Sequence, residues 1–132
     1  MKKLLIFSTL YLIFQLLNAQ PEDKKLGKIT FHMVDGEYED AASKAEKLRE
    51  DAEYRKNGWV YYYMSQAYFE IAGMPELQED YPKAFKESLK AAYKLEKYKA
   101  KPEENIDVWN NAQEFLSILK DSAITVSEIY YD

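Results

Sequence analysis

The chain has 132 residues, one domain's worth of sequence, which argues against a multidomain enzyme. Hydrophobic residues make up 47% and charged residues 31%, so neither a disordered nor a wholly membrane-embedded chain fits. The net charge is −5 with acidic residues in every polar segment, and this makes nucleic acid a poor partner. Cysteine is absent, which removes disulfides, thiolate chemistry, Cys-ligated metals and lipid attachment through sulfur. Twelve Tyr, six Phe and two Trp stand against only four Gly and four Pro, a balance that favours helices over a turn-rich β protein.

Lys2 and Lys3 precede an apolar run from Leu4 to Leu17, followed by Asn18-Ala19-Gln20. This is the order of a secretory signal peptide, with cleavage expected after Ala19. Fourteen residues rise only about 21 Å as a helix, short of the roughly 30 Å hydrocarbon core, so no stable membrane span is expected after cleavage. The expected location is periplasmic or secreted. Removing residues 1–19 takes both lysines and no acid, leaving a mature charge of −7.

Residues 20–28 are polar and read as a frayed lead-in, followed by a short stretch, Ile29 to Val34, that holds the single histidine, His32. From Asp40 to about Tyr54, Ala41, Ala42, Ala45, Leu48 and Ala52 recur at three- and four-residue steps, which predicts a helix with a small-residue face ended by Lys56-Asn57-Gly58. Gly58 to Ala72 predicts the next helix. Val60, Tyr61, Met64, Ala67, Tyr68 and Ile71 fall on one arc, with Trp59, Tyr63, Gln66 and Glu70 opposite. Trp59 to Tyr63 spans about 400° of helix, so these five are not expected to enter one core together.

Gly73 and Pro75 break the pattern, and a further helix is predicted from Asp80, as N-cap, to about Tyr98. Its inner face carries Tyr81, Ala84, Ser88, Ala91 and Leu95, flanked by Phe85, Leu89 and Ala92. After a linker at 99–107, a last helix runs from about Val108 to Tyr130, with Val108, Ala112, Phe115, Leu119, Ala123, Val126 and Tyr130 aligned. Four helices are expected.

No residue set for catalysis emerges. A lone imidazole has no convergent partner at fixed spacing. The carboxylates at Asp35, Glu37, Glu39 and Asp40, and at Glu103, Glu104 and Asp107, lie beside helix starts, where negative charge is favoured by the dipole, and lack the alternating order of a calcium loop. There is no glycine-rich phosphate loop and no serine elbow. A non-enzyme without cofactor or metal is expected.

Gly36-Glu37-Tyr38-Glu39-Asp40-Ala41 recurs in outline as Glu79-Asp80-Tyr81-Pro82-Lys83-Ala84, an aromatic at a helix entry with an alanine three residues on. With Ser65 at the small eighth position of a first helix, Tyr61 and Tyr68 take the fourth and eleventh, and Ala84 and Ala91 the twentieth and twenty-seventh. In this frame the chain resembles the tetratricopeptide repeat (TPR) family over one helical pair, about 58–98, with a second helix before it and a first helix after it. The connection between the paired helices is longer than the family's, Ser88 replaces a large residue, and Glu96 stands where a closing proline lies.

The resemblance implies an all-α, TPR-like α-solenoid spanning 20–132 that binds a protein or peptide segment. It places Trp59, Tyr62, Gln66, Phe69 and Glu70 along the concave groove; the residues themselves leave open that Tyr62 and Phe69 simply pack against neighbouring helices. A small-molecule-binding helical bundle, or a periplasmic enzyme accessory subunit, is the alternative from another class. Ile118, Ile124, Ile129 and Tyr131 lie off the inner face of the last helix, which points to self-association there.

Overall fold

The computed structural model describes residues 23–131, with side chains through residue 126. The export signal read at 1–19 and the side chains of Ile129, Tyr130 and Tyr131 lie outside the described residues. Within them the chain is all-helical. The elements are α1 (Lys24–Val34), α2 (Tyr38–Glu50), α3 (Gly58–Ala72), a 3-10 turn (Pro75–Leu77), α4 (Ala84–Lys97), α5 (Asn105–Asn111) and α6 (Gln113–Tyr131).

Helix α1 corrects the expectation of a frayed lead-in. Leu26, Ile29, Thr30 and Met33 form an i, i+3, i+4, i+7 stripe that is buried, and Asp23 caps the helix by accepting from the backbone amides of Lys25 (2.8 Å) and Leu26 (3.2 Å). Gly36, at φ 77°, supplies the left-handed residue that turns the chain into α2. Helix α2 stops at Glu50, before the expected Tyr54. Asn57-Gly58 opens α3 rather than closing α2, with Asn57 Oδ1 accepting from the Trp59 amide at 2.9 Å.

Helix α4 starts at Ala84, four residues after the predicted cap at Asp80, because residues 80–83 form a turn around Pro82. The last predicted helix is two, joined at Ala112, and its first turn begins at Asn105. Its inner face is buried at Val108, Ala112, Phe115 and Leu119, half-buried at Ala123 and exposed at Val126.

Helix α3 is the centre of the structure, packed against α1, α2, α4 and α5. Eleven of its fifteen residues are buried, among them Val60, Tyr61, Tyr62 and Tyr63 in succession. Of the five-residue run only Trp59 stays half-buried; the other four are buried because neighbours cover α3 on several sides, so residues pointing in different directions meet protein. Small residues set the closest approach. Ser65 and Ser88, both fully buried, exchange bonds across the α3–α4 contact: Ser65 Oγ donates to the Ser88 carbonyl at 2.8 Å, and Ser88 Oγ to the Ser65 carbonyl at 2.7 Å. The two sequence repeats are tied directly, since Tyr81 Oη donates to Glu39 Oε2 at 2.8 Å.

Asn105 joins three segments with one side chain. Its Oδ1 accepts from the Gly58 amide (2.8 Å), and its Nδ2 donates to the carbonyls of Lys56 (2.7 Å) and Tyr98 (2.9 Å). A Cβ at residue 58 would lie 2.9 Å from Asn105 Oδ1 and 3.2 Å from Val108 Cβ, so glycine is required there by the close approach of α5.

A second long-range tie couples the fold to pH. Tyr54, buried, donates its hydroxyl to Asp23 Oδ2 at 2.6 Å, which holds the Asp23 carboxyl below the usual carboxylate range and pushes Tyr54 up to about 12. Burial also pushes Tyr62 and Tyr63 upward. A lowered acid stabilises the fold above its unfolded value of about 3.9, and that contribution fades as pH falls through the folded value. The raised tyrosines contribute fully below about pH 10, and their contribution is lost as pH climbs toward their folded values. Thermal melts across pH should therefore hold a plateau near neutrality and decline above about pH 10, in step with tyrosinate absorbance. Tyr54→Phe should narrow the acid shoulder.

Candidate docking surface

The structure brings the five residues expected along the groove onto one side of α3, but encloses that side. Tyr62 is 2% exposed, Gln66 0% and Glu70 4%, while Trp59 and Phe69 are half-buried. Phe115 of α6 fills the space in front of them, meeting Phe69 edge to face with centroids 5.7 Å apart and Tyr62 at 6.0 Å. Trp59 covers Tyr63 at 5.6 Å in a stacked arrangement. Neither amide atom of Gln66 makes a hydrogen bond of good geometry, although the amide sits close enough to Tyr62 to offset slightly the effect of its burial. The hydroxyl of Tyr62 only grazes the Asn111 carbonyl, at 3.5 Å.

Phe31 on α1, Ile106 on α5 and Ile118 and Ile124 on α6 are exposed apolar side chains, and α4 adds a pair of them beside two grooves. At 100° per residue Tyr93 stands opposite the buried line of Ala84, Ser88, Ala91 and Leu95, and it is 65% exposed. Leu89 beside it is 37% exposed. Together they form a ridge with a groove on each flank. On the α6 side a groove of about 370 Å³ is walled by Leu89, Ala92, Tyr93, Trp109, Leu116 and Ala123, with Glu96 and Lys120 at its rim. Lys99 lies over the Trp109 ring at 4.9 Å, at the end of this wall. On the α2 side a groove of about 490 Å³ runs between Arg49 and the α4 lysines over Tyr61 and Met64.

Two other features lie away from these grooves. A concavity of about 650 Å³ between the α2–α3 and α4–α5 loops is lined by charges of both signs, including Glu53, Arg55, Lys56, Lys101 and Glu104. At the α1–α2 corner, His32, Glu37 and Asp40 bring ligand atoms within 4.8 Å of one another, and His32 Nδ1 lies 3.3 Å from Glu37 Oε1. These groups could hold a divalent cation; His32 is half-buried, and the two exposed carboxylates flank a helix start that favours negative charge without a metal. No helix among the described residues is long and apolar enough to cross a membrane.

Comparison of the chain with protein-family models, with curated proteins and with solved structures finds no match. Tyr93 is absent from the faces that the sequence periodicity defines; its signal in the sequence is a large aromatic on the polar side of an otherwise amphipathic helix, a position that packing within this chain does not explain.

Proposed function

We propose that this chain is an exported, TPR-like, non-catalytic scaffold that binds a helical segment of another protein in the groove between α4 and α6. The observation that carries this reading is the Leu89–Tyr93 ridge, exposed on the helix face opposite the core and continued by Trp109 and Leu116 across the groove. An amphipathic helix presents apolar side chains every three or four residues and would insert them between these walls, with Ala92 and Ala123 allowing close approach. In this reading Trp59, Tyr62, Gln66, Phe69 and Glu70 support the surface by fixing α3 against α6 and do not themselves grip the partner.

Leu89→Ala combined with Tyr93→Ala tests it, since both side chains are exposed and the fold should lose no more than about 1 kcal/mol. Crosslinking in the native envelope compartment followed by mass spectrometry should place partner crosslinks on α4 and α6 in the parent and lose them in the double variant. Crosslinks unchanged by the double substitution would remove this groove from the function.

Exposed Ile118, Ile124 and Val126 on α6 support self-association as a second reading. Light scattering should then show mass rising with concentration; a constant monomer mass counts against it.

A further inference from the structure

The groove on the other flank of α4 differs in chemistry, and we propose that it takes an acidic peptide segment. The chain carries a net charge of −5, yet this groove collects Arg49, Lys86, Lys90 and Lys94 against a single acid, Glu87. Arg49 is neutralised by Glu46 at 2.6 Å, and Lys90 pairs with Glu87 at 3.3 Å. Lys86 and Lys94 form no ion pair among the described residues and are free to meet a ligand carboxylate. Spacing reinforces charge: residues 86, 90 and 94 are one turn apart, so their stems leave α4 at intervals of about 6 Å.

That interval matches carboxylates at every fourth residue of a helix, or at every second residue of an extended strand, about 6.7 Å apart. The floor, formed by Tyr61 and Met64, is apolar, so one hydrophobic side chain of the segment would seat between the floor and the Leu89–Tyr93 ridge while the acids line the lysine wall. An extended polyanion or a flat anionic membrane would also face the acidic remainder of the surface and be repelled by it, whereas a short segment meets only the groove. The assignment rests on the charge pattern of this flank and does not depend on a helix docking between α4 and α6.

The test is fluorescence anisotropy of the full chain with a labelled short peptide carrying Glu at every fourth position and Leu between. Saturable binding is expected, weakened about tenfold by a severalfold rise in salt and about tenfold by combined Lys86→Glu and Lys94→Glu. The same charge change at Lys44 and Lys47, on α2, should leave binding within twofold of the parent; both variants should remain folded with similar, small losses in melting temperature, since Lys94 and Lys47 each lie in the last turn of a helix. The proposal is overturned if the peptide does not saturate, if both reversals weaken it equally, or if a single-stranded oligonucleotide or phosphatidylglycerol vesicles bind more tightly through Lys86 and Lys94.

Discussion

Replacing Tyr62 with alanine should cost the fold about 3–5 kcal/mol, the range for deleting a large ring from a packed interior. The side chain is 2% exposed, meets Phe115 edge-on at 6.0 Å and stacks on Tyr63 at 6.0 Å, so its loss opens a void between α3 and α6 that neighbouring rings cannot refill. In a domain of this size each kcal/mol moves the melting temperature by about 5 °C, so circular dichroism should show a fall on the order of 20 °C or no folded baseline at all. Trp59, only half-buried, should lose much less on truncation. A Tyr62→Ala chain that melted within a few degrees of the parent would restore that ring as a docking residue.

The second large effect is expected at Asn105, where alanine should destabilise by about 3 kcal/mol. The substitution strands the Gly58 amide and the carbonyls of Lys56 and Tyr98 in a site that is itself 3% exposed. Aspartate should not rescue, since it keeps an acceptor for Gly58 but places a carboxylate against two carbonyl oxygens that need donors. Urea melts of the parent, Asn105→Ala and Asn105→Asp would check this. Equal midpoints would mean that the three strands of chain meeting at Asn105 hold together without it.

The helical class and the whole of α3 were legible because Asn57-Gly58 and Gly73 punctuate a long apolar run. Helix α1 was not, since Gly27 and the charged residues Glu22, Asp23, Lys24, Lys25 and Lys28 obscure the Leu26, Ile29, Met33 stripe. The rotational placement of Trp59, Tyr62, Gln66, Phe69 and Glu70 on one side of α3 could be computed from the sequence, but their exposure could not. Exposure depends on what covers that side, and Phe115, which covers much of it, comes from more than forty residues away. Asn105 sat in a presumed linker, and nothing local distinguishes a clamp from a solvated polar residue there. On α4 the periodicity of Ala84, Ser88, Ala91 and Leu95 marks the inner line, whereas Tyr81, expected on the same line, precedes the helix and is half-buried, and the exposure of Leu89 and Tyr93 depends on neighbours that periodicity does not reveal.

Ser65 and Ser88 hold their two helices at a separation that leaves room for nothing bulkier at either site. Each hydroxyl also satisfies the other's backbone, so the two positions have no independent freedom to drift. In a lineage carrying this fold they should change together, small for small, and a solitary enlargement at one should appear only beside a compensating shrinkage at the other.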